Sequence, residues 1–272
     1  MFFSSCFPSR EVIFPDQDVS NISMYSYLTE GCKLVRNLGY EVAESNVQNF
    51  GILTDDEFER MVEEYPDGSL GLWACNGFLG GINTIIGIDD EERERIYSYV
   101  EKVIYRMDKV GVKYVVFGSG YARRLREGLE KTDAAYIEDF LRHVNKCCEG
   151  KQITCVVEPL NKSETNWGNS VAECAKIVRK LNLPKIKLLA DCYHMARENE
   201  PMSVIDENID IILHCHIAAE DRTIPGNTEY EKRFLESLKK NGYKGAVSVE
   251  CGQPDYKNDA SKIIEFMKKT VG

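Results

Sequence analysis

The sequence predicts an α/β protein of the (β/α)8 barrel class. Three observations point there. Short apolar runs rich in Val and Ile alternate with longer amphipathic stretches, the pattern of a buried parallel sheet with helices outside it. Eight such runs spread over 272 residues give strand–helix units averaging about 34 residues, which favours a closed barrel over an open doubly wound sheet. No GxGxxG follows the first run, which removes the usual dinucleotide fingerprint of open sheets.

The predicted strands are 2–7 (FFSSCF), 40–45 (YEVAES), 70–76 (LGLWACN), 113–120 (KYVVFGSG), 152–159 (QITCVVEP), 185–192 (KIKLLADC), 209–216 (IDIILHCH) and 246–251 (AVSVEC). Helical periodicity covers 21–38, 54–65, 90–110, 132–149, 170–181, 228–240 and 257–270, and is poorest over 193–208. Helix 90–110 places Ile96, Val100, Val103, Ile104 and Met107 on one face, with Asp89 and Asp90 at its start where acids suit the helix dipole. Ser170 followed by Glu173 reads as a capping box.

With 43% hydrophobic residues, the chain can bury its core as one domain over 1–272. Its net charge of −10 suits a phosphate backbone poorly, so nucleic acid is not an expected partner. The ten cysteines include no CxxC pair and read as reduced, mostly buried side chains. MFFSSCFPSREV has neither the basic start nor the long apolar stretch of a signal peptide. No run approaches the roughly 18–20 apolar residues of a membrane span. A cytoplasmic location without membrane contact is the expectation. GFLGG (77–81) is glycine-rich but lacks the Lys and Ser/Thr of a P-loop.

Barrel chemistry sits at the C-terminal ends of the strands. The fifth strand ends in Glu158, the sixth in Asp191, the seventh in His216 and the eighth in Glu250, at gaps of 33, 25 and 34 residues. A single Glu at a strand end is often a solvated loop residue, and a lone His in an apolar run is usually a core group. Four in register at successive strand ends are harder to read that way. Three carboxylates so close would raise one another's pKa without a cation among them. Three carboxylates with one imidazole suit a divalent ion, Mn²⁺ first, with Mg²⁺, Co²⁺ and Zn²⁺ as alternatives. Three of the chain's four histidines, His194, His214 and His216, fall at these ends; His214, two residues deeper, reads as a core group or a support behind the ligands.

EPLNKSE (158–164), ADCYH (190–194), HCHIAAEDRTIPG (214–226) and GYKGAVSVEC (242–251) resemble the sugar phosphate isomerase/epimerase family, with its xylose-isomerase-like TIM barrel. Ketose 3-epimerases are its nearest functional group. The resemblance covers 113–272 and is weaker in ESNVQNF (44–50), ACNGFLGG (74–81) and FGSGYARR (117–124). It implies that Glu158, Asp191, His216 and Glu250 hold the metal and that Glu158 and Glu250 are the acid/base pair. It implies that His194 and Arg222 hold substrate oxygens and that Glu164 contacts the hydroxyl end of the sugar. The expected reaction is proton abstraction and return on a ketose or related sugar, phosphorylated or not, through a metal-stabilised enediolate. It also implies a homodimer or homotetramer.

Glu44 and Asn76, ending the second and third strands, are further candidate substrate contacts, and Trp167 a candidate apolar wall over a sugar face. ARRLR (122–126) reads either as a phosphate receptor or, preferably, as a solvated helix start. A dehydratase of the inosose or dehydroshikimate type would use the same ligands. Two readings fit worse. An endonuclease IV-like repair enzyme needs three zinc ions and more histidines, and a non-catalytic sugar-binding barrel has no use for both Glu158 and Glu250.

Overall fold

β1 (Phe2–Cys6), β2 (Val42–Asn46), β3 (Leu72–Asn76), β4 (Tyr114–Phe117), β5 (Thr154–Val157), β6 (Ile186–Asp191), β7 (Ile212–Ile217) and β8 (Ala246–Val249) pair in parallel, in sequence order, into a closed barrel. The computed structural model describes residues 1–66 and 68–272. Each predicted strand overlaps an observed one. The closure is β1 against β8, with Phe2 to Ser5 opposite Ala246 to Val249.

The helices are α1 (Arg10–Ile13), α2 (Met24–Asn37), α3 (Val47–Ile52), α4 (Asp55–Glu64), α5 (Asp90–Lys109), α6 (Glu130–Cys148), α7 (Val171–Leu181), α8 (Cys192–Arg197), α9 (Ser203–Asn208), α10 (Glu229–Lys240) and α11 (Tyr256–Val271). The predicted apolar face of α5 is the buried one. None of these helices is long and apolar enough to cross a membrane.

Three local expectations are corrected. The stretch 193–208 is two short helices, because Asn199 takes a left-handed φ of 54° and Pro201 follows it. At α7, Ser170 accepts from the Glu173 N–H, but the Glu173 carboxylate takes the Asn169 N–H, so the box is not reciprocal. Reciprocal boxes are at Thr54 with Glu57 and at Thr228 with Glu231. The short helices α1 and α3 were not predicted; four and six residues are too few to display a 3.6-residue period.

Strand periodicity builds the site. Side chains alternate between the helix layer and the barrel interior. Val116, Val156 and Leu189 form a small interior cluster separate from the main core. Two residues beyond Val156 is Glu158, and two beyond Leu189 is Asp191. On β7 and β8 the interior positions His214 and Ser248 lead in the same way to His216 and Glu250. The polar layer therefore caps a stack of interior residues at the C-terminal rim.

Candidate metal centre

Glu158, Asp191, His216 and Glu250 converge, each offering a ligand atom within 4.8 Å of the others. His216 Nδ1 lies 3.0 Å from Glu158 Oε1, 3.6 Å from Glu250 Oε2 and 3.7 Å from Asp191 Oδ2. Pairing register sets Asp191 beside His216. Asp191 also caps α8: its Oδ1 accepts from the Tyr193 and His194 N–H groups, leaving Oδ2 toward the cage. Gly118 makes room for Glu158, since a Cβ there would collide with Glu158 Oε2.

The charges show what the cage asks for. Burial opposes the charged form of His216, yet Glu44 and Glu250, with hydrogen bonds that the ring donates to Asp191 and Glu158, hold its pKa well above the usual value. Burial would raise Asp191, but His194, His216 and Arg222 keep it below its ordinary value. Glu250 is pushed up to about 7, by burial first and by Glu158 and Asp191 against the pull of His216 and Arg222. Three carboxylates around a protonated imidazole are a cation site by chemistry, and the donor set fits a divalent ion. Cation binding at neutral pH is therefore expected to release protons from His216 and Glu250, with affinity rising as pH climbs through about 7. Calorimetry with Mn²⁺ in buffers of different ionisation enthalpy measures this; no proton release and a flat affinity would contradict it.

Glu44 corrects the sequence expectation. It is fully buried, and both of its carboxylate oxygens are taken up by histidines of β7. A register shift at Ala43/Glu44 in β2 accompanies a carboxylate that reaches across the barrel to β7. Oε2 is 2.8 Å from His214 Nε2 and Oε1 is 3.0 Å from His216 Nε2. It thereby holds the Nε2–H tautomer of His216, leaving Nδ1 for the cage. His214 sits behind the ligands, as expected, and stacks on Tyr114 at 5.8 Å. Glu44→Gln, whose amide cannot accept from both imidazoles, is expected to weaken Mn²⁺ binding by about 10–100-fold in a chelator competition.

His194 is buried, and its Nδ1 accepts from the Asn161 N–H at 3.0 Å, so Nε2 carries the proton. Among the described residues that Nε2 has no hydrogen-bond partner, and it lies 3.9 Å from Asp191 Oδ2, a buried donor beside the cage. Arg222 adopts φ 61°, a left-handed conformation that costs a non-glycine residue about 1–3 kcal/mol. In this position its guanidinium reaches Glu164 at 3.1 Å and Glu250 at 3.2 Å and lies over the Tyr193 ring at 4.8 Å.

Asn76 donates to Glu250 Oε1 at 2.7 Å and so orients a cage carboxylate. Trp167 is buried in the core under the Arg123 guanidinium, 5.2 Å away, not spread over the mouth. The ARRLR segment is only partly solvated, with Arg124 and Arg126 exposed, and it precedes α6 instead of starting it. Arg123 is fully buried and donates to the Phe117 and Glu158 carbonyls, Arg124 donates to the Glu164 carbonyl, and Arg126 pairs with Asp133. Sequence reading missed Asn161 and Tyr193, since nothing in one chain marks which loop residue will touch a neighbour from another strand.

Residues 32–270 match the family model described as xylose isomerase-like TIM barrel. The chain is 25% identical to the 3-dehydro-D-guloside 4-epimerase of Escherichia coli K12 over 190 residues, 65% of this chain and 70% of that enzyme. Its fold is that of D-allulose 3-epimerase from Methylomonas sp. in complex with D-allulose (TM-score 0.79, 16% identity, 99% and 97% of the two chains). The fold is also similar to that of an IolI protein with a bound zinc atom (TM-score 0.71, 18% identity, 99% and 96%).

Proposed function

Because this chain belongs to the xylose isomerase-like TIM barrel family, we propose that it is a divalent-metal-dependent sugar epimerase or isomerase. The reaction moves a proton on the carbon beside a ketone. The observation that carries this reading is the cage itself, with Glu158 and Glu250 on strands three apart around the barrel and both within 3.6 Å of His216 Nδ1.

Glu158, Asp191, His216 and Glu250 would hold the ion, Mn²⁺ in first place given a mostly carboxylate donor set. When bound, the ion supplies Lewis acidity to a ketone and its neighbouring hydroxyl. The rest falls to side chains. One glutamate removes the carbon-bound proton and the other returns one to the opposite face. Glu250, whose carboxylate the ion would leave deprotonated, can take that proton or return it, according to which epimer is bound. His194 Nε2–H donates to a substrate oxygen. Arg222, held by Glu164 and Glu250, stabilises negative charge that develops on the neighbouring oxygens. Asn76 fixes Glu250. With Arg123 and Arg124 on backbone carbonyls and Arg126 paired with Asp133, the mouth suits an uncharged sugar better than a sugar phosphate.

The test is proton NMR in D2O with the Mn²⁺-loaded protein and a panel of free and phosphorylated ketoses and 3-keto-glycosides. Solvent deuterium entering beside the ketone, with the epimer or isomer appearing, is the expected result. Loss of water from an inosose or dehydroshikimate substrate would move the assignment to a dehydratase, and no exchange with any substrate would end the reading.

A further inference from the structure

Outside the barrel mouth, on the helical layer, α5 and α6 bring together three donors of different chemistry. His143 and Cys147 are one turn apart on α6, with His143 Nε2 3.3 Å from Cys147 Sγ. Glu101 on α5 places Oε1 3.8 Å from the same nitrogen. All three ligand atoms lie within 4.8 Å of one another. We propose that Glu101, His143 and Cys147 form a second metal site, selective for a thiolate-tolerant ion such as Zn²⁺ and distinct from the carboxylate cage.

The geometry is close to what zinc asks for. Zn–S of about 2.3 Å and Zn–N of about 2.0–2.1 Å in a tetrahedron set sulfur and nitrogen roughly 3.5 Å apart. A nitrogen–oxygen pair around the same ion sits roughly 3.4 Å apart. The observed 3.3 Å and 3.8 Å need only a small movement, and the Glu101 side chain, 65% exposed, is free to make it. The i,i+4 spacing is the one that sets two ligands on one helical face in zinc-binding helices. The imidazole is already held: His143 stacks on Tyr97 with ring centroids 3.7 Å apart and planes 10° from parallel.

The two protonation states pull in opposite directions, the imidazole favouring a metal and the thiol opposing it until the metal displaces its proton. Burial keeps the His143 pKa below its ordinary value, so the ring stays neutral and offers a lone pair. Burial, with Glu101 adding to it, pushes the Cys147 thiol up to about 11. The thiol proton leaves to solvent as the sulfur–metal bond forms. Water completes the coordination. The two sites then sort ions by softness: one thiolate, one imidazole and one carboxylate here, three carboxylates and one imidazole in the barrel. An ion at this position would tie α5 to α6.

The experiment uses the full-length protein with Co²⁺ as a spectroscopic probe and Zn²⁺ counted against a chromophoric chelator. Wild type should show a near-ultraviolet thiolate-to-cobalt charge-transfer band. It should also bind one zinc equivalent more than Cys147→Ser or His143→Gln. Each variant should weaken that site at least about tenfold and leave Mn²⁺ binding in the barrel unchanged. Alkylation of Cys147 by iodoacetamide in the wild-type protein, located by peptide mass, should slow with Zn²⁺ and not with Mn²⁺. This last measurement needs no variant to fold. Equal zinc stoichiometry and affinity in wild type and variants, no charge-transfer band, or Cys147 alkylation indifferent to Zn²⁺ would overturn the proposal.

Discussion

Glu250→Gln is expected to slow interconversion of substrate epimers by about 10²–10⁴-fold, the range supplied by a positioned acid or base. The amide keeps the shape of the side chain, and its oxygen can still accept from Asn76 Nδ2, which donates to Glu250 Oε1 at 2.7 Å. What it loses is the carboxylate that accepts the substrate proton and hands one back. Because two glutamates divide the work, the loss should be one-sided. One epimer should still exchange its proton with D2O through Glu158, while conversion to the other epimer stalls. Glu158→Gln should show the mirror image, with exchange retained by the opposite epimer. Saturating Mn²⁺ separates this from weakened ion binding. Epimerisation at wild-type rate in either variant would remove that glutamate from the acid/base role.

Asp191→Ala is expected to remove the ion and, with it, activity by at least about 10³-fold, since Lewis acidity contributes several kcal/mol to such reactions. Asp191 is the ligand to change because it carries no acid/base duty in this scheme. Its loss also uncaps α8, whose Tyr193 and His194 N–H groups it accepts. That cap is worth about 1 kcal/mol, so a modest fall in Tm is expected without metal. The wild-type protein should gain about 2.7 kcal/mol when Mn²⁺ is at a hundred times its Kd, a Tm rise of roughly 5–10 °C at this chain length. Asp191→Ala should show no such rise. Dialysis against a chelator should copy the variant's inactivity in wild type, and Mn²⁺ should restore it. Full activity after exhaustive chelation would refute metal dependence.

All eight strands were legible because strands buried on both faces read as unbroken apolar runs, and the barrel followed from their number. Glu158, Asp191, His216 and Glu250 were legible because each interrupts such a run at its end. Their meeting in one cluster was foreseeable from the barrel's symmetry. Glu44 was read as a substrate contact because it too ends a run. Its actual partners, His214 and His216, lie about 170 residues away on the far side of the barrel. Arg123 shows the opposite failure. Three arginines in five residues look solvated, yet Arg123 is fully buried on two backbone carbonyls.

What the sequence alone determined is periodic: the number of strands, the interior face of each, and the residue type at each rim, all fixed by local alternation and strand length. What only the tertiary structure decided is which groups share a proton or a contact. Glu44 locking His216, His194 left with an Nε2 unpartnered among the described residues, Arg222 strung between Glu164 and Glu250, and the Glu101–His143–Cys147 cluster all depend on distances across the barrel or between helices. Those distances are set by closure and packing of the whole chain. Hydrogen bonds and ion pairs are won or lost within about an ångström, finer than any sequence pattern resolves.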